Sequence, residues 1–146
     1  MHLEGKHTFK TTREALWNLL NDPDVLARAT PGIKELQLRE DDKYQALFGI
    51  KMGPINSNFE GTLEVADKVD LEGYRLLVNV DGKIGTISAE GTISLQSGNE
   101  DTTVLFQGDA KLTGALARMG QRVLTGVGRM FTRQFFKALE EEISEP

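Results

Sequence analysis

The longest amphipathic stretch of this sequence is Gly114–Ile143, which reads GALARMGQRVLTGVGRMFTRQFFKALEEEI. Its apolar residues recur three and four positions apart, which is the spacing of one wide helical face. At about 1.5 Å per residue, a helix of this length spans roughly 45 Å. Because most of the preceding chain alternates as β-strands do, we expect one sheet bent around this helix. The functional question is then what lies between the sheet and the helix.

The hydrophobic pattern upstream of that helix has a period of two, and turn-forming residues interrupt it at short intervals. Consecutive strands with short turns form an antiparallel meander, so the fold class is α+β, with one domain over residues 1–146. The predicted strands are 2–9, Glu35–Arg39, Lys43–Met52, Ser57–Asp67, Tyr74–Asp81, Thr86–Gln96 and Thr102–Leu112.

Two short helices are predicted between the first and second strands. Thr11 or Thr12 can cap a helix that starts near Arg13. Pro23 suits the first position of a second helix, Asp24–Ala29, because proline lacks the N–H that such a position leaves unpaired. The chain order is therefore one strand, two short helices, six strands and one long helix.

Glycines interrupt both the strands and the long helix. Gly61, Gly91 and Gly108 fall among the inward apolar residues of three strands. A strand glycine marks either sharp curvature or close approach of another element, here the helix, or it leaves room for a ligand. Gly126 and Gly128 each cost about 1 kcal/mol relative to alanine in a helix interior. They indicate either close packing or a helix that moves to admit a ligand.

Composition excludes several classes of function. The chain has no cysteine, which rules out disulfides, thiol catalysis and cysteine-bound metals. No apolar run approaches 18 residues and no signal peptide is evident, so we expect a cytoplasmic protein. The net charge of −5 argues against a nucleic-acid binder.

Charge is distributed unevenly along the chain. The segment 110–139 carries six basic residues and no acidic one, which leaves 11 basic and 22 acidic residues elsewhere. Such a basic helix face is either simply solvated or a docking surface for anionic lipid or an acidic protein. The expected partner or membrane-surface residues are Arg118, Arg122, Arg129, Arg133 and Lys137.

No catalytic constellation or metal motif is recognisable. His2 and His7 lie on opposite faces of one predicted strand and cannot share a metal, and no other ligand spacing occurs. The sequence also lacks a nucleophile elbow and a glycine-rich phosphate loop. We therefore expect neither catalytic residues nor a cofactor.

Several stretches together resemble a known family. Leu16–Pro23 (LWNLLNDP) followed by Pro31–Ile33 resembles the front end of the START-like (SRPBCC, helix-grip) superfamily. Lys51–Ile55 (KMGPI), then Phe59–Gly61, is similar to the family of the G subunit of aerobic carbon monoxide dehydrogenase. Gly114–Phe136 continues this likeness, which covers essentially the whole chain.

The resemblance implies a seven-stranded antiparallel sheet that grips a C-terminal helix, with an apolar cavity between them. It also implies binding of a lipid or membrane quinone and service to a molybdenum-containing dehydrogenase at the inner face of the membrane. Relatives that anchor to membranes carry a C-terminal extension, whereas this chain stops at Ser144-Glu145-Pro146. Permanent anchoring is therefore not expected, and contact with the membrane would be peripheral.

The leading hypothesis is a non-enzymatic binder of a hydrophobic molecule. Apolar side chains expected to face the cavity from both the sheet and the helices define its lining. The predicted lining consists of Trp17, Phe48, Met52, Phe59, Ile87, Phe106, Met119, Val123, Val127 and Met130.

Two alternatives remain open at this stage. One is an enzyme of the aromatase/cyclase type, which needs polar groups converging in the cavity; the candidates are His7, Tyr44, Gln121, Thr125 and Gln134. The other is a docking or assembly factor with a filled core, which acts through the basic face of the long helix.

Overall fold

The computed structural model describes residues 1–144 as one antiparallel sheet with a long C-terminal helix. The seven strands follow the order β1-β7-β6-β5-β4-β3-β2. Strands β2 to β7 form the predicted meander, and β1 adds to the edge beside β7. The chain therefore crosses from one edge of the sheet to the other between β1 and β2. The prediction about membrane anchoring concerned the chain end, of which Glu145 and Pro146 lie outside the described residues.

The strand boundaries confirm the predicted pattern, with extensions of one or two residues at most ends. Each strand pairs antiparallel with its neighbours, with bulges in β2 and β4. The strands are β1 His2–Phe9, β2 Ile33–Glu40, β3 Lys43–Met52, β4 Ile55–Val69, β5 Gly73–Gly82, β6 Gly85–Ser97 and β7 Thr102–Leu112.

The crossover between β1 and β2 contains the two predicted short helices, α1 (Arg13–Leu20) and α2 (Pro23–Ala29). The Thr12 hydroxyl caps α1 by accepting a hydrogen bond from the Ala15 N–H at 3.1 Å. Asp22 caps α2 in the same way, accepting from the Asp24 N–H at 2.9 Å. Each cap satisfies an amide at a helix start that has no partner within its own helix.

The long helix α3 spans Gln121–Ser144, so the prediction that it begins near Gly114 was wrong. A short 3₁₀ turn, Leu116–Arg118, precedes it, and Gly120 breaks the helical path with a φ of +89°. The cause is tertiary: the Leu116 side chain is fully buried, and its N–H donates to the Ile84 carbonyl at 3.1 Å. The β5–β6 turn therefore holds this segment and prevents it from extending α3.

The strand glycines are explained by close approach of neighbouring strands, not of the helix. A Cβ at Gly61 would lie 2.0 Å from the Asn79 carbonyl oxygen. A Cβ at Gly91 would lie 2.7 Å from the Gln107 carbonyl oxygen. These distances are too short for any side chain, so the glycines permit the sheet to curve at these points.

The hydrophobic core is divided into two clusters, whereas small domains usually have one contiguous core. The first core packs α1, α2 and the end of α3 against one end of the sheet. Its buried residues are Phe9, Leu16, Trp17, Leu20, Val25, Tyr74, Leu95, Val104, Phe136 and Leu139. The second core lies at the other end and contains Ala46, Phe48, Ile50, Met52, Ile55, Phe59, Val80, Leu116 and Leu124.

The two glycines inside α3 have different surroundings. A Cβ at Gly126 would meet nothing within 4 Å, so close packing does not account for this glycine. A Cβ at Gly128 would lie 3.2 Å from Leu3 Cδ2 and 3.6 Å from Met1 Cε. Close packing against β1 therefore fits Gly128 alone.

We expect Gly126→Ala to raise the free energy of unfolding by about 1 kcal/mol, because alanine favours a helix interior over glycine and the new methyl group enters open space. Gly128→Ala is the matched control, and its gain should be smaller because Leu3 must shift. Urea denaturation followed by circular dichroism measures both. A fall in stability for Gly126→Ala would contradict the open surroundings described here.

Candidate functional site

Two rows of small and medium-sized side chains cross the middle of the sheet on the face turned toward α3. The strand register pairs the members of each row across β4, β5, β6 and β7. We call these eight residues the inner band. The first row is Leu63, Val78, Ala89 and Ala110, and the second is Val65, Leu76, Gly91 and Gly108.

Every member of the inner band is only half-buried, although the same strands carry fully buried residues toward the two ends of the sheet. Phe59 is 1% exposed and Val80 is 2% exposed in the second core, and Val104 is 1% exposed in the first. The inner band is therefore less completely covered than the ends of the same strands, and we call the region between it and α3 the gap. Alanine and glycine on β6 and β7 extend less far toward α3 than the large side chains at the strand ends.

The helix α3 spans this gap and contacts both cores. Val127 and Phe131 pack against the second core, whereas Phe135 and Phe136 belong to the first. Phe131 and Phe135 are half-buried and lie one helical turn apart, on the same side of α3. Apolar groups thus lie both on the inner band and on this side of the helix.

The structure distributes the ten predicted lining residues over three environments. Trp17 is buried in the first core, and Phe48, Met52 and Phe59 are buried in the second. Half-buried positions at the borders of the cores hold Ile87, Phe106, Met119 and Val127. Val123 and Met130 lie on the outward side of α3, where they are 40% and 39% exposed.

Sequence reasoning missed the inner band itself. Ala89 and Ala110 pair across β6 and β7, as do Gly91 and Gly108, so four small residues are adjacent on one face. Strand parity in the sequence already puts each of them on the inward face. Their proximity, however, depends on the register between strands, which the parity of a single strand does not give.

Two phenols lie next to the inner band. Tyr44 pairs with Leu63 and so extends the first row into β3, and Tyr74 lies on β5 beyond the second row, where it pairs with Ile93. Burial raises the pKa of Tyr74, and the neighbouring Tyr44 raises it further. Burial likewise raises the pKa of Tyr44, so both phenols stay protonated near neutral pH.

The five polar candidates for catalysis do not converge. Gln121 and Gln134 are exposed on α3, and Thr125 is half-buried on the same helix. His7 lies on β1, stacks on Phe136 with ring centroids 5.3 Å apart, and binds the Glu140 carboxylate through Nε2. Of the five, only Tyr44 is buried next to the inner band.

The end of α3 is fixed to α2 by an ion pair. Arg28 donates from Nη2 and Nε to the two carboxylate oxygens of Glu142, at 2.6 and 3.2 Å. This contact lowers the pKa of Glu142, so the pair persists down to mildly acidic pH. Together with the His7 contact to Glu140, it holds the last turns of α3 against β1 and α2.

The predicted basic residues are all exposed, and within residues 1–144 none of them forms an ion pair. Arg122, Arg129, Arg133 and Lys137 lie within about 80° of one another around α3, at 100° per residue. Arg118 belongs to the preceding turn and not to α3. We call these five residues the basic face, and the exposed Val123 and Met130 lie beside it.

Other surface features of residues 1–144 do not resemble a binding centre. One hollow of about 210 Å³ lies between the start of α1 and the β6–β7 turn. A second, of about 340 Å³, is lined by outward-facing residues of β5–β7 and also by Ala89 and Ala110 of the inner band. In this part of the chain no group of three side chains could hold a metal ion, and no helix has the length and apolarity to cross a membrane.

The curved seven-stranded sheet and the long C-terminal helix define a START-like, helix-grip protein. A START superfamily protein from Mycobacterium smegmatis superposes with a TM-score of 0.72 at 14% identity, over 97% of this chain and 95% of that one. The family model for the G subunit of carbon monoxide dehydrogenase (CoxG) matches residues 5–144, and the chain belongs to this family.

Other solved structures share this fold. A conserved protein from Geobacillus kaustophilus has a TM-score of 0.96 at 34% identity, covering 99% of this chain and 95% of that chain. A protein from Thermus thermophilus has a TM-score of 0.71 at 18% identity, covering 99% and 100%. No curated protein matches the chain.

Proposed function

We propose that this protein binds a hydrophobic molecule, a lipid or an isoprenoid quinone, between the inner band and α3. The half-buried inner band carries this proposal, because apolar surface that solvent reaches gains about 25 cal/mol per Å² when a ligand covers it. Membership of the CoxG family supports a role as an accessory to a molybdenum-containing carbon monoxide dehydrogenase.

Binding is favoured over catalysis because of the placement of the polar groups. An enzyme of the aromatase/cyclase type needs, besides hydrogen-bond donors, a base placed at the reacting atom. Here Gln121 and Gln134 are exposed, and the His7 imidazole is engaged with Glu140. The ligand is accordingly carried and not transformed.

Native mass spectrometry of the protein purified without detergent tests this proposal, followed by titration of the delipidated protein with menaquinone and with phospholipid. We expect a bound apolar molecule and saturable binding. Ala89→Leu should weaken binding at least tenfold without lowering stability, since the larger side chain enters the gap. Absence of any bound or bindable apolar molecule would contradict the proposal.

Thr92→Leu is the matched control for that variant, because Thr92 is exposed on the outer face of the same strand. It adds similar bulk outside the gap and should leave ligand binding unchanged. Ala46→Leu provides the comparison for stability. Ala46 is 1% exposed in the second core, so a larger side chain there should cost about 1–3 kcal/mol.

The basic face favours a second function, peripheral docking on an anionic lipid surface. Its five cations are unpaired within residues 1–144, and the exposed Val123 and Met130 beside them can enter the headgroup boundary. Each basic residue near such a surface contributes about 1 kcal/mol. Docking there would bring the gap close to a membrane-dissolved ligand.

The charge reversals Arg122→Glu and Arg129→Glu together should weaken binding to phosphatidylglycerol vesicles by more than tenfold, because two attractions become repulsions. Vesicle co-sedimentation at low and physiological salt measures this. The control variant reverses Arg39 and Lys43, which are exposed on β2 and β3. Equal binding by the two double variants, or equal binding to phosphatidylcholine vesicles, would exclude docking through the basic face.

A further inference from the structure

Tyr44 and Tyr74 are the only tyrosines of the chain, and both are buried at the border of the inner band. Tyr44 is 6% exposed and lies in line with the first row through its pairing with Leu63. Tyr74 is 8% exposed and lies on the strand that supplies Leu76 and Val78. Its ring centroid is 6.0 Å from that of Trp17 in the first core.

Neither phenol hydroxyl has a hydrogen-bond partner within residues 1–144. The fully enclosed side-chain polar atoms that lack a hydrogen-bond partner in this part of the chain are Nε of Arg13 and Nε of Arg75. The two phenol oxygens are not among them, so each faces space that another atom can enter. Each hydroxyl can therefore bind water in the free protein, and a ligand oxygen can take the place of that water.

The charged groups around the two phenols favour a neutral ligand over an anionic one. The inward-facing positions of β3–β7, all of which the structure describes, include no lysine or arginine. The carboxylates near Tyr44 are those of Asp42, which is paired with Lys68 at 2.8 Å, and Asp22. An anionic head group would therefore be buried without a cation, which is strongly unfavourable.

We infer that Tyr44 and Tyr74 form the polar end of the ligand site and donate hydrogen bonds to a neutral carbonyl at one end of an otherwise apolar molecule. The inference rests on the proposed function, since it assigns one end of the same site. It predicts selection for ketones, quinones or esters over free fatty acids. Each phenol positions the carbonyl, while the inner band and α3 cover the apolar remainder.

The test uses three probes of similar length: 2-undecanone, undecanoate and undecane. Protein labelled with 3-fluorotyrosine gives two ¹⁹F signals, which Tyr44→Phe and Tyr74→Phe assign. We expect 2-undecanone to shift both signals and to bind more tightly than undecanoate. Each Tyr→Phe variant should bind 2-undecanone about threefold to tenfold more weakly, with undecane affinity unchanged.

The outcomes separate this inference from the proposed function. If wild-type protein binds undecane and 2-undecanone but neither ¹⁹F signal moves at saturation, the phenols are only hydrated and the inference is overturned. Equal affinity of wild-type and variant proteins for 2-undecanone overturns it as well. If none of the three probes binds wild-type protein, the proposed function itself fails. The wild-type ¹⁹F shifts decide the matter even where a variant is poorly folded.

Discussion

The close approach of β6 and β7 is the constraint on which the rest of this structure depends. Gly91 and Gly108 face each other across these strands, and a Cβ on Gly91 would lie 3.2 Å from Gly108 Cα. With Ala89 and Ala110 beside them, no side chain from this part of the sheet extends toward α3. The sheet therefore curves at these two strands, and for the same reason they present only small side chains toward α3 there.

The divided core follows from that constraint. Large side chains close the sheet onto α3 at both ends, and α3 is fixed there by its own residues, Leu124 in the second core and Leu139 in the first. The helix then spans the middle with Phe131 and Phe135 above the inner band. An unfilled apolar gap forfeits dispersion contacts, so a ligand that fills it stabilises the folded protein. The proposed ligand site and the basic face thus lie on the same helix.

Much of the fold could be predicted because strand parity and turn residues act locally. Thr12 and Asp22 cap the helices where their side-chain chemistry indicates, and the strands end near Gly and Asp turns. The start of α3 could not be predicted, because burial of Leu116 and its hydrogen bond to Ile84 are tertiary interactions. The apolar pattern continues through Gly120 although the helix does not.

The candidate site was less predictable than the fold for a related reason. The sequence alone does not distinguish a large apolar residue that lines a cavity from one that is buried in a core. Phe48 and Phe59 are buried in the second core, with ring centroids 5.9 Å apart. Val123 was predicted to line the cavity but is exposed, because the apolar stripe of α3 is wider than the face that the sheet covers. The residues that leave the gap are small, and only the cross-strand register brings Ala89 and Ala110 together.

The open middle between the two cores is the central claim of this account, and xenon binding tests it most directly. Xenon enters apolar gaps without needing hydrogen bonds or a particular ligand shape. A crystal structure under xenon pressure should show xenon between Ala89 and α3, within van der Waals distance of Phe131 or Phe135. The contradicting result is a structure without xenon there, in which Phe131 and Phe135 rest directly on the inner band.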